Sequence, residues 1–89
     1  MINFSELKID EDYVVSLTQM NTSRYEGSIF KVLPRTNKNA VYYRDDKNSS
    51  KNQDFRMATA EEITWHLKDP RTNVNVKTMP KVNNAYLIY

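Results

Sequence analysis

Residues 28–56 read SIFKVLPRTNKNAVYYRDDKNSSKNQDFR. Two apolar, strand-like runs, 29–33 and 40–43, flank a polar connection. Pro34 cannot donate to a ladder, so it marks a strand end or an edge. Residues 35–39 are polar throughout and suit a hairpin loop of about five residues. The pattern therefore predicts a central hairpin. Residues 45–54 contain no apolar side chain. Such a segment has nothing to pack with and is expected to be an exposed, mobile loop. Phe55 and Met57 flank Arg56 in alternation, which predicts a further short strand.

Upstream, residues 13–20 are rich in β-branched and aromatic side chains, with Tyr13, Val15 and Leu17 on one face. Gly27 is the only glycine in the chain and is expected to take a positive φ in the turn before the second strand. Nearer the start, residues 5–8 predict a helical turn anchored by Phe4 and Leu7. Asp10, Glu11 and Asp12 then form an acidic, solvated break.

Downstream, Thr59-Ala60-Glu61-Glu62 carries the signature of a capping box. The Thr59 hydroxyl accepts from the Glu62 amide while the Glu62 carboxylate reaches back to the Thr59 amide. Pro70 pushes Asp69 out of the helical region. A helix over 59–68 follows, with Ala60, Ile63 and Leu67 expected to face the core. Val74, Val76 and Thr78 alternate with polar residues, as in a half-exposed strand. The apolar, aromatic residues 85–89 are expected to pair into a sheet, in this subunit or across a homodimer.

The chain thus reads as a single domain, 1–89, of mainly β (α+β) class. It has about five to six short strands and one short helix at 59–68. Short connections and a late helix disfavour a parallel sheet. A small, bent antiparallel sheet or a partly open barrel remains.

Composition narrows the function. The 89 residues include no cysteine, which excludes disulfides and thiolate metal sites. No apolar run is long enough to span a membrane. The start of the chain lacks a basic stretch before an apolar core, so a signal peptide is not expected. The net charge is only +2, but it is unevenly placed: residues 1–30 carry −3, 31–56 carry +4 and 57–89 carry +1. A basic middle of this kind can attract a polyanion although the whole chain is near neutral.

No catalytic signature is present. His66 is the sole histidine, which leaves a metal without imidazole partners. Asp10, Glu11 and Asp12 lack the spacing of a calcium loop. Asp45, Asp46 and Asp54 would have to converge to hold an ion, with lysines competing. A single glycine rules out a glycine-rich phosphate loop. No cofactor is implied, and an enzyme is not expected.

Binding suits the residues better. RNA recognition needs cations for phosphates and flat groups for unpaired bases. The candidates are Lys31, Arg35, Lys38, Tyr42, Tyr43, Arg44, Lys47, Lys51 and Arg56. Tyr42 and Tyr43 point to opposite faces of a strand, so one serves the core and the other is free to stack. RNA or single strands are favoured over duplex DNA, because no helix is basic. Tyrosines and cross-strand cation–π contacts also occur in sheets that bind nothing. A protein-interaction module docking on a host enzyme or ribonucleoprotein is the alternative.

One further pattern bears on fold. Tyr13-Val14-Val15, Gly27-Ser28-Ile29-Phe30-Lys31-Val32, Val41-Tyr42-Tyr43-Arg44-Asp45 and Asp54-Phe55-Arg56-Met57-Ala58-Thr59-Ala60-Glu61-Glu62-Ile63 follow one another in an order that resembles small phage-encoded proteins with an SH3-like barrel. The resemblance covers about half the chain. It implies an SH3-like, partly open barrel and a phage origin, hence a host-cytoplasmic location, rather than any chemistry. Size, composition and the basic middle look like a T-even-type phage early protein. Among such proteins the resemblance points to RNA-binding inhibitors of a type III toxin–antitoxin endoribonuclease.

Overall fold

The computed structural model describes residues 2–19 and 24–76. The strand expected at 85–89, and residues 77 and 78 of the one expected around Val74–Thr78, lie outside these.

Among the described residues, five short strands and one helix follow a 3-10 turn at Phe4–Glu6. The strands are β1 (Tyr13–Ser16), β2 (Ile29–Lys31), β3 (Val41–Tyr42), β4 (Ser49–Ser50) and β5 (Phe55–Met57). The helix α1 spans Ala60–Lys68. They form two antiparallel sheets, one of order β2-β1-β5 and one pairing β3 with β4. Among the described residues the two sheets do not close into a barrel, and the class is α+β as expected.

Alternation along β1 explains the layering. Val14 turns to one face, where it packs with Phe4, Val32, Val41, Tyr43 and Phe55. Val15 turns to the other, where it packs with Ile29 and Val74 and with the partly buried Tyr13, Ala58 and Val76. The β3–β4 sheet therefore covers one face of the three-stranded sheet. Helix α1 covers the other, through the Tyr13–His66 ring contact at 5.7 Å.

The predicted central hairpin is corrected. β2 and β3 belong to different sheets. Pro34 occupies a turn closed by the Thr36 amide donating to the Leu33 carbonyl at 3.0 Å, which bends the chain out of β2. One hydrogen bond, from Leu33 N to the Tyr42 carbonyl at 3.0 Å, still joins the two arms. A second, tighter turn follows, bridged between Asn37 and Ala40. The loop expected at 45–54 is exposed over most of its length, but it also contains β4. Ser49 and Ser50 supply backbone pairing to Tyr42 and Val41, which needs no apolar side chain.

Gly27 takes φ +86°, and a Cβ there would lie 2.1 Å from the Val74 carbonyl. Its amide donates to the Ser16 carbonyl, and its carbonyl accepts from Val74 N. The sole glycine thus joins β1 to the segment around Val74. Among the described residues, Asn73 of that segment bridges Ser28.

The helix begins as predicted, with both arms of the capping box formed at Thr59. Its buried face differs. Ala60 and Leu67 are exposed, whereas Glu62 is fully buried and Ile63 and His66 are half-buried. The carboxylate is tolerated inside because three donors meet it: Arg56 Nη1 at 2.8 Å, Arg56 Nη2 at 2.7 Å and Thr59 N at 2.9 Å. A charge so paired can occupy a position that periodicity assigns to an apolar residue.

Candidate nucleic-acid interface

Two turns frame the β3–β4 sheet, and both are built by local side chains. At one end, the Asp45 carboxylate accepts from Lys47 N at 2.8 Å, Asn48 N at 3.0 Å and Asn48 Nδ2 at 2.8 Å. These donors, the Lys47 amide foremost, hold its pKa below the usual aspartate value. The turn displays Arg44 and Lys47, both exposed. Arg35 reaches it from the preceding loop, with Nη1 donating to the Asp46 carbonyl at 3.4 Å. At the other end, Lys38 sits in the Asn37–Ala40 turn, and Lys51 follows Ser50, the partner of Val41.

The nine sequence candidates consequently separate. Arg35, Lys38, Tyr42, Arg44, Lys47 and Lys51 lie on or beside the β3–β4 sheet. Tyr43 does not belong with them: it is a core residue at 7 % exposure, its ring 5.0 Å from Phe30 and 5.4 Å from Phe55. Tyr42 is the half-exposed member of the pair, with the Arg35 guanidinium 5.2 Å from its ring centroid. Arg56 is half-buried and committed to Glu62 on the helix side. Lys31 is exposed, but it also faces the helix side, its Nζ 5.9 Å from the Tyr13 ring. Lys31 and Arg56 thus leave the basic surface because strand alternation sends them to the opposite layer.

Two buried charges were not singled out by sequence. Arg24 is 1 % exposed, with its guanidinium 4.6 Å from the Phe55 ring and 5.2 Å from the Tyr43 ring. It pairs with Asp54 and donates to Thr18 Oγ1 at 3.1 Å. Among the described residues its Nε and Nη1 meet no hydrogen-bond acceptor, and two aromatic faces supply part of their electrostatic compensation. The second is Glu62. Its Thr59 partner was legible from the capping box, whereas its Arg56 partner lies across the strand–helix junction and has no periodic signature.

Asp45 is engaged in its own turn, and Asp54 by Arg24 and the Ser50 hydroxyl. Among the described residues no group of three or more His, Asp or Glu side chains is placed to hold a metal ion. No helix among them is long and apolar enough to cross a membrane. His66 is half-buried, and burial pushes its pKa below 6.5. An open groove of about 430 Å³ runs beside β5, lined by Ile2, Leu17, Gln53, Phe55, Arg56 and Met57. It lies along β5, the last strand of the larger sheet among the described residues, and lacks the convergent polar groups of a small-molecule site.

Comparison with known families, curated proteins and solved structures finds no match to this chain.

Proposed function

We propose that the protein is a non-catalytic RNA-binding module whose interface is the β3–β4 sheet with its two turns. The observation that carries this reading is the gathering of Arg35, Lys38, Arg44, Lys47 and Lys51 around a ladder two residues long. Such a ladder spans only ~7 Å, less than the ~8 Å screening length at physiological salt. The five cations flank that ladder, where a strand of phosphates laid along it would meet them in succession. Asp45 and Asp46 are the only carboxylates in residues 35–51, so the patch stays net positive. On the resemblance to small phage proteins, the finer proposal is an RNA within a host-defence ribonucleoprotein, blocked in the host cytoplasm.

The test is fluorescence anisotropy of a labelled single-stranded RNA across a salt series. Each phosphate contact contributes a slope of ~0.7 in log affinity against log salt. Five contacts predict about −3.5, and the Lys38→Gln/Lys47→Gln/Lys51→Gln variant about −1.4. Absence of binding, or a slope unchanged in the variant, would overturn the proposal. The groove beside the β5 edge favours a second reading, direct docking on a host protein by strand addition. That reading predicts a complex that survives nuclease treatment and is insensitive to the three lysine substitutions.

A further inference from the structure

We infer that Arg35, stacked on Tyr42, is a platform for one unpaired base of the bound strand. This rests on the RNA-binding reading and adds the recognition element that the lysines do not supply.

The pair is fixed from the backbone outward. Thr36 is buried at 8 % exposure, and its Oγ1 accepts from Tyr42 N at 2.9 Å. The Tyr42 carbonyl accepts from Leu33 N at 3.0 Å. Asn37 Nδ2 donates to the Arg35 carbonyl at 3.2 Å, and Asn37 Oδ1 accepts from Asn39 N at 2.8 Å. The turn bearing Arg35 and the strand bearing Tyr42 are thereby held in one register. Pro34 ahead of Arg35 removes further backbone freedom.

The side chain is held at two points. The ring lies under the guanidinium at 5.2 Å, and the Asp46 carbonyl meets Nη1 at 3.4 Å. Asp45 and Asp46 are close in the chain, yet Arg35 forms no ion pair with either; the ion pairs among the described residues are Arg24–Asp54, Arg56–Glu62 and Arg71–Asp69. Arg35 is exposed, so its outer face and its remaining N–H edge are open to solvent. A planar cation with one face on a ring and the other face open is a stacking surface for a base, and its edge can meet the adjoining phosphate. A base within a duplex has both faces covered by its neighbours. The ligand class is therefore an unpaired nucleotide in a single strand or loop. Lysine cannot replace arginine here, because an ammonium has no plane.

The experiment compares two strands of equal length and charge, an oligoadenylate and an abasic sugar-phosphate strand, bound by wild type, Arg35→Lys and Tyr42→Phe. Wild type and Tyr42→Phe are expected to prefer the base-bearing strand by about tenfold, the scale of one stacked base. Arg35→Lys should bind both strands alike and keep the wild-type salt slope. Circular dichroism of each variant checks the fold. Equal binding of the two strands by wild type, with the salt slope intact, overturns the platform and leaves the RNA-binding reading standing. An undiminished preference in Arg35→Lys also overturns it. No binding of either strand overturns both.

Discussion

Replacing Arg56 separates a structural cation from a binding one. Its guanidinium gives two bonds to Glu62, whose side chain is fully buried, while that of Arg56 keeps 19 % exposure. Arg56→Met leaves a buried carboxylate with the Thr59 amide as its remaining donor among those described above. Breaking a buried pair on one side costs ~3–5 kcal/mol. The upper half of that range applies here, because the group left behind has no access to water. Glu62→Gln leaves Arg56 instead, which can regain water through its exposed part, so its cost falls near the lower end, ~3 kcal/mol. For a domain of this size each kcal/mol moves the melting temperature by about 4–8 °C. Both variants should therefore melt more than ~10 °C below wild type, with Arg56→Met the lower.

The same pair sets an acid limb. Burial pushes the Glu62 pKa up, but the Arg56 and Thr59 bonds outweigh it and hold the group below 4.5. A carboxylate depressed in the folded state adds stability that is present above its unfolded pKa. That stability is lost as the pH falls through the folded value. Thermal melts between pH 7 and pH 3 should show a shallower acid decline in Glu62→Gln than in wild type. RNA binding by folded Arg56→Met should keep the wild-type salt slope. A melting temperature within 2–3 °C of wild type, well under the shift for 1 kcal/mol, together with a slope reduced by ~0.7, would refute the assignment of Arg56 to the helix side.

Two further outcomes follow from the other buried groups. The Arg24 side chain is 0 % exposed and that of Asp54 12 %, so Asp54→Asn, which strands the cation in the core, should cost ~3–5 kcal/mol. Arg24→Met should cost less, and urea melts giving the reverse order would contradict the burial argument. His66 Nδ1 is buried with no hydrogen-bond partner among the described residues, and the folded state favours the neutral ring. Stability should therefore fall as the pH drops below 6.5 towards the lower folded pKa. His66→Phe should lose that dependence when urea midpoints at pH 7.5 and pH 5.5 are compared.

What the sequence discloses is what is local. The capping box at Thr59 lies within four consecutive residues, and it places the helix start correctly. β1 and β2 announce themselves by β-branched residues, and Gly27 by being the sole glycine. β4 is illegible because Ser49 and Ser50 contribute backbone to their partners and a hydroxyl to Asp54, with no apolar side chain to mark them. The inward face of α1 is misread for a related reason. Periodicity assigns the core to Ala60, Ile63 and Leu67, but the energetics turn on a pairing between Arg56 and Glu62 that spans a strand end and a helix start. Arg24 is hidden similarly, since its counterion lies 30 residues away. For the candidate interface, composition locates the basic segment, but only alternation within the strands decides which layer each cation joins.

That sorting turns a charge count into a number. By sequence, residues 31–56 offer seven cations, Lys31, Arg35, Lys38, Arg44, Lys47, Lys51 and Arg56. Were all seven to meet phosphates, the salt slope would approach −4.9 at ~0.7 per contact. Alternation removes Lys31 and Arg56 to the helix layer, and the expected slope drops to about −3.5. The difference also has a chemical logic. Three arginines among the described residues form ion pairs, at Asp54, Glu62 and Asp69, where a planar fork can satisfy a carboxylate. The lysines beside the β3–β4 sheet are exposed and form no ion pair among the described residues, as suits a compact, hydrated charge that meets a phosphate chain without fixed geometry. Arg35 differs from those three paired arginines. It is an arginine placed against a ring instead of a carboxylate, where its plane rather than its charge is the property in use.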